Sequence, residues 1–148
     1  MPLLNYTTDV PADKTINEIH KCLAAHGARA ILNEYDDNGY ITAVSFKITA
    51  SDQQIAFRLP SDWRPVLKIL ETDPKVTRRF KPTQEQALKV AWRIIKDWVE
   101  AQMAIVETRM VTLEQVFLPY IVMDDGQTLY DRMKKSNFLL PPGNNIAA

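Results

Sequence analysis

Two basic groups carry the residue types best suited to holding a ligand. Lys47 and Arg58 fall in neighbouring segments that alternate apolar and polar residues, Tyr40 to Thr49 and Gln54 to Leu59. Paired as an antiparallel hairpin, these put Phe46, Ile48, Ile55, Phe57 and Leu59 on one face, and Ala43, Ser45, Lys47, Ala56 and Arg58 on the other. A guanidinium grips a phosphate through parallel hydrogen bonds, and a neighbouring lysine adds a point charge. The same face also reads as a solvated outer surface, because antiparallel sheets commonly leave one face wet. The second group is Arg78, Arg79 and Lys81 around Phe80, directly before a long helical pattern. Cations beside an aromatic ring suit a stacked base with adjoining phosphates, although such runs are also common in solvated connectors.

Other residue types promise less. His20, Cys22 and His26 form the one cluster of metal-ligating types, but on a helix His20 points about 200° away from Cys22, and a structural zinc site wants four donors. The reading is an ordinary cysteine between ordinary histidines, and the same scarcity weakens a Cys-His nucleophile. Asp36-Asp37 and Asp124-Asp125 each border a glycine-containing turn, where aspartate serves backbone hydrogen bonding. The chain has four glycines, too few for a phosphate loop or a dinucleotide fingerprint, and no serine stands in a nucleophile-elbow sequence. A non-enzymatic role without a cofactor or metal is therefore expected.

These residues need elements to position them. Leu4 to Val10 alternates and predicts a strand. Thr15 and Glu18 read as a capping box for a helix whose core face is Ile16, Ile19 and Leu23, stopped by Gly27. Arg29 to Tyr35 predicts a second strand, with Tyr40 to Thr49 and Gln54 to Leu59 as the third and fourth. Asp62 caps a short helix through Leu70, and Glu71 to Pro82 reads as a connector. Thr83 with Gln86, Thr112 with Gln115, and Thr128 with Asp131 open three further helices. The expected fold class is α+β: a small, mostly antiparallel sheet of about four strands with helices on one face, and a long apolar helix toward the C-terminus. One domain over residues 1–138 is expected, followed by a mobile tail at 139–148.

The long helical pattern, Thr83 to Met110, is apolar nearly all round. Leu88, Trp92, Ile95, Trp98, Val99, Met103, Val106 and Met110 make one stripe, with Val90, Ile94, Ala101 and Ile105 on its flanks. Such a helix is buried on several sides, within its domain or between subunits. A homo-oligomer is expected, with Trp92 and Trp98 at its interface. Arg93 joins them as a candidate interface residue, paired with Asp97 four positions on.

Composition narrows the setting. The chain has 148 residues and a formal net charge of zero, so any attraction to nucleic acid must be local. A single cysteine fits a reducing compartment, no secretory pattern opens the chain, and no apolar run reaches membrane-spanning length. A cytoplasmic protein that avoids membranes is expected.

Tyr6-Thr7-Thr8, Lys14-Thr15-Ile16, Gly27-Ala28, Phe57-Arg58-Leu59-Pro60, Val90-Ala91-Trp92-Arg93 and Phe117-Leu118-Pro119-Tyr120 resemble uncharacterised small proteins encoded by phages and prophages. The resemblance runs from about Leu4 to Tyr130. It implies a viral accessory setting in the host cytoplasm, with host-defence counteraction as one such role, and it assigns no catalytic residue. The resulting expectation is a binder that sequesters an anionic ligand, such as a nucleotide, through Arg58, Lys47, Arg78, Arg79, Phe80 and Lys81. The alternatives are a nucleic-acid-binding protein using the same cations, or a structural or inhibitory protein acting through its apolar helix.

Overall fold

The structure is a computed structural model and describes residues 1–138; the tail expected at 139–148 lies outside the described residues. The chain is mixed α+β. Helix α1 (Ala12–Ala25) precedes strands β1 (Ala30–Tyr35), β2 (Ile41–Ala50) and β3 (Gln53–Pro60). Helices α2 (Trp63–Thr72), α3 (Pro74–Thr77) and α4 (Gln84–Glu107) follow. A short α5 (Leu113–Val116), a 3-10 turn at Leu118–Tyr120 and α6 (Leu129–Lys135) complete it.

The sheet has three antiparallel strands in the order β1-β2-β3, one fewer than expected. Leu4 to Val10 is not a strand. Asn5 takes a positive φ of 63°, the Thr8 hydroxyl accepts from Val10 N–H, and the segment closes into turns. These local bonds compete with a ladder. Gln86 then ties the segment down by donating from Nε2 to the carbonyls of Tyr6 and Thr8, each at 3.0 Å. Gln86 thus completes only half of the capping box read from the sequence. Its backbone N–H finds the Thr83 hydroxyl at 3.1 Å while its side chain is spent elsewhere. The edge pairing that a fourth strand would have made comes instead from the far end of the chain. Ile121 forms an isolated bridge with Phe57, and Val122 N–H donates to the Ala56 carbonyl at 2.8 Å.

Register within the sheet follows the alternation of the sequence. Val44 faces Leu59, Phe46 faces Phe57 and Ile48 faces Ile55, all turned toward the helices. Ser51 and Asp52 join β2 to β3 at φ values of 50° and 64°, the backbone a tight two-residue hairpin demands, and they do so without glycine. At the end of α1, Gly27 adopts φ 101° while Gly27 N–H and Ala28 N–H return to the carbonyls of Ala24 and Leu23. This is a Schellman stop, which turns the chain directly into β1. The start of α1 departs from expectation. It begins at Ala12 without a side-chain cap, so Thr15 lies inside the helix and is fully buried, and Glu18 is free to serve another helix.

Helix α4 is 24 residues long and lies between two apolar clusters. One contains Trp92, Val99 and Met103 with Ile16, Ile19 and Leu23 of α1, the inner sheet face, and Phe117. The other joins Ala87 and Val90 to Leu70 of α2 and Val76 of α3. Its apolar girth is therefore met within one chain. Trp92 is only 1% exposed, and of the large apolar α4 side chains Ile105 is the one left exposed. Trp98 is half-buried and packs edge-on against Phe117 and Tyr120, each with ring centroids 5.4 Å apart.

Replacing Trp92 by Ala removes a large side chain from the point where α1, α4 and the sheet meet. Chemical denaturation should register a loss of about 3–5 kcal/mol.

Candidate functional site

Arg58 and Lys47 both project from the sheet face turned away from α1 and α4, but they do not share a site. Arg58 stands opposite Ser45, and Lys47 opposite Ala56. Alternation in β1 adds Ala30, Leu32 and Glu34 to this face, since they register with Lys47, Ser45 and Ala43. Arg58 donates from Nη2 to Glu34 Oε2 at 2.7 Å, and both side chains are over a third exposed.

The pair borders a cavity of about 510 Å³ at one end of this face, between the sheet and the C-terminal segments. Two tyrosines, Tyr120 and Tyr130, and the hydroxyls of Thr42 and Thr128 line it with Asp131 and the pair itself. Tyr120 arrives at the end of the 3-10 turn, positioned by its packing on Trp98. Thr128 and Asp131 form a complete capping box at the start of α6, which fixes both side chains at the rim. One cation and two carboxylates face this space, so its charge balance is less favourable to anions than Arg58 alone suggested. Lys47 lines a separate, shallower depression with Leu32 and Ala56.

The second basic group lies elsewhere. Arg79, Phe80 and Lys81 border an open groove of about 470 Å³ with Thr7, Asp9, Thr83 and Gln86, beside the start of α4. Phe80 stacks on Tyr6 at 6.4 Å and packs on the Leu70 and Val76 cluster, so its ring is an anchor for the N-terminal segment rather than a free platform for a base. Arg79 reaches the Tyr6 hydroxyl at 3.4 Å, while Arg78 and Lys81 are exposed. Among the described residues no cavity joins this group to Arg58.

Arg93 is also placed differently from expectation. It does not pair with Asp97, which accepts from Asn5 at 2.7 Å. Arg93 turns toward α1, donating to Glu18 at 2.7 Å, and Lys96 approaches the same carboxylate at 3.9 Å. Trp92 and Arg93 are thus engaged within their own chain, in the core and in the α1–α4 seam.

The histidines and cysteine have structural partners. His20 Nε2 meets Asn33 Oδ1 at 2.8 Å. His26 Nδ1 donates to the Cys22 carbonyl at 2.7 Å, and Nε2 meets Glu107 at 2.6 Å, tying the end of α1 to the end of α4. Burial raises the Cys22 thiol pKa and the charges of Glu100 and Glu107 add to this, so the thiolate a nucleophile requires is disfavoured. Both aspartate pairs serve turns. Asp36 accepts from Asn38 and Tyr40 N–H, and Asp125 accepts from Gln127 N–H at 3.0 Å, which with Arg132 lowers its pKa. Among the described residues no helix is long and apolar enough to cross a membrane.

Reading along the sequence missed Glu34, Tyr120, Thr128, Tyr130 and Asp131 as neighbours of Arg58. Strand alternation could have found Glu34, which falls on the same face as Leu32. Nothing local announces that the Pro119 to Asp131 region folds back over that face. No family model, curated protein or solved structure matches the chain.

The His26 clamp has a signed pH dependence. The Cys22 carbonyl first, and Glu107 second, raise the imidazole pKa above its ordinary 6.5. The imidazolium is favoured in the folded chain, so its contribution is complete below 6.5 and is lost as pH rises through the elevated folded-state value. His26→Gln should therefore cost most at about pH 5.5 and progressively less in alkaline solution, by under about 1 kcal/mol because Glu107 is well exposed. Paired denaturation curves across this range test the sign.

Proposed function

We propose that the protein is a non-enzymatic binder of a small anionic, ring-bearing ligand of the nucleotide class, taken up in the cavity beside Arg58. The observation that carries the reading is the convergence of a guanidinium, two tyrosine rings, two carboxylates and two hydroxyls on one space of about 510 Å³. A pocket of this kind, part apolar with a few converging polar groups, is the form small-molecule sites commonly take.

Each group has a fitting role. Arg58 has five N–H donors, and its contact with Glu34 uses one nitrogen, leaving Nε and Nη1 for a phosphate oxygen. Tyr120, packed on Trp98, and Tyr130, packed on Phe138, give the space an apolar wall for a base, and Glu34 and Asp131 accept from ribose hydroxyls or exocyclic amines. The two carboxylates also choose among nucleotides. A singly charged phosphodiester, as in a cyclic nucleotide, is repelled less than a triphosphate. The resemblance of Phe57-Arg58-Leu59-Pro60 to phage-encoded proteins suits sequestration of such a molecule in a host cell, as a viral accessory function.

Nucleic-acid binding through Arg78, Arg79 and Lys81 is the second reading. These cations border an open groove at the start of α4, with Asp9 as the carboxylate among its lining residues. Affinity there would rise with strand length and fall steeply with salt.

Isothermal titration with a cyclic mononucleotide, a linear monophosphate, a triphosphate and a short oligonucleotide separates the two. The cyclic compound should bind best, and Arg58→Ala should weaken it about ten- to a hundredfold, the loss of a charged hydrogen bond. Folding stability should change by less than about 1 kcal/mol, since Arg58 and Glu34 are both partly exposed. Failure of every mononucleotide to bind would reject the pocket reading. Length-dependent oligonucleotide binding that ignores Arg58→Ala would favour the groove instead.

A further inference from the structure

Strand β1 is an edge of the sheet, and among the described residues no segment pairs with its free side, whereas β3 has Ile121 and Val122 beside it. Open edges are ordinarily blunted by lysine, proline or a bulge, because their unpaired N–H and C=O groups template further pairing. Here the edge reads Ala30-Ile31-Leu32-Asn33-Glu34-Tyr35, with no lysine or proline and Glu34 as its one charged side chain, and its one register irregularity lies at the far end between Glu34 and Tyr35. Leu32 at its centre is 61% exposed, and Tyr35 is 63% exposed.

We propose that β1 pairs antiparallel with β1 of a second copy of this chain, about a two-fold axis at Leu32, joining two three-stranded sheets into one of six strands. A two-fold contact requires a self-complementary strand, and this register supplies complementarity in two rows. At the axis, Leu32 meets the partner's Leu32 and each covers the other's exposed side chain. One row out, Glu34 lies opposite the partner's Ala30, which in turn registers with Lys47. Glu34 and the partner's Lys47 are then two strand spacings apart, about 10 Å between Cα atoms, with only a methyl group between them. A glutamate and a lysine together span that gap.

Neighbouring registers lose these matches. Moving the axis to Asn33 sets Leu32 against the partner's Glu34, an apolar side chain against a carboxylate. Moving it to Ile31 leaves Glu34 beside the partner's Ala28, away from a cation. The dimer stands independently of the ligand reading, and it would modify that reading in one respect: Lys47 would reach Glu34 of the other copy and offset one carboxylate of the cavity.

Sedimentation velocity on the full chain over a concentration series tests the dimer without any ligand. The mass should double as concentration rises. Leu32→Lys, which sets like charges together at the axis, should remain monomeric where the wild type is dimeric, and should melt like the wild type at concentrations where the latter is monomeric, because Leu32 is exposed. Lys47→Glu should weaken the dimer several-fold. A Cys22→Ser, Leu32→Cys variant should form an intermolecular disulfide under mild oxidation, since residues facing each other at the axis bring their Cβ atoms to about 5 Å. A wild type that is monomeric at every concentration, or a dimer that survives Leu32→Lys unchanged and gives no disulfide through Leu32→Cys, overturns the proposal.

Discussion

The indole of Trp92 occupies the point where α1, α4 and the inner face of the sheet converge, and the arrangement of the rest depends on that contact. Three phenylalanines belong to the same cluster. Phe46 and Phe57 stack across the β2–β3 hairpin at 5.0 Å, and Phe117 meets both edge-on. Interiors pack near crystal density, so a ring system of this size leaves little freedom in how a helix can lie on the sheet. With α4 set in this way, its opposite side, Ala87 and Val90, must be covered by something else. Helices α2 and α3 provide that cover through Leu70 and Val76. A helix apolar on both sides thus organises two clusters in one chain, and its polar residues become couplings between elements. Arg93 and Lys96 bind Glu18 on α1, and Asp97 holds Asn5 of the N-terminal segment.

The same constraint explains where a ligand site can form. The inner sheet face is filled by helix, so open space exists on the outer face and at the ends. On the outer face the chain returns after Phe117, whose ring is locked into the core while the residues following it cross toward β3. Ile121 and Val122 lie against the β3 edge, and Val122 bridges onward to Thr128. Tyr120 and Asp131 are therefore carried to Arg58 by a segment anchored at both a core aromatic and a sheet edge.

Charge is distributed in small opposing sets and not in a single basic field. The cavity beside Arg58 combines a guanidinium with two carboxylates, and the groove beside Arg79 and Lys81 includes Asp9. With a formal net charge of zero there is little long-range steering to gather polyanions.

What the sequence determined by itself was much of what local periodicity and backbone chemistry govern. Period-two alternation specified which side chains of β2 and β3 face the core, because a slip of one residue would expose Phe46 and Phe57. Gly27 stops α1, Asp62 and Thr83 cap the helices after them, and the boxes at Thr112 and Thr128 open α5 and α6, since each cap needs only residues within one turn. Tertiary structure decided whatever depended on partners distant in the chain. Leu4 to Val10 has a strand's alternation, yet Gln86, about 80 residues later, holds its carbonyls in turns. A helix start at Thr83 was legible, but whether the cover of α4 came from a second subunit or from α2 and α3 was not. Arg58 and Lys47 share a sheet face, as their parity required. Which of them borders a cavity was decided by where the Pro119 to Asp131 region folds back, a matter of packing that no spacing along the chain encodes.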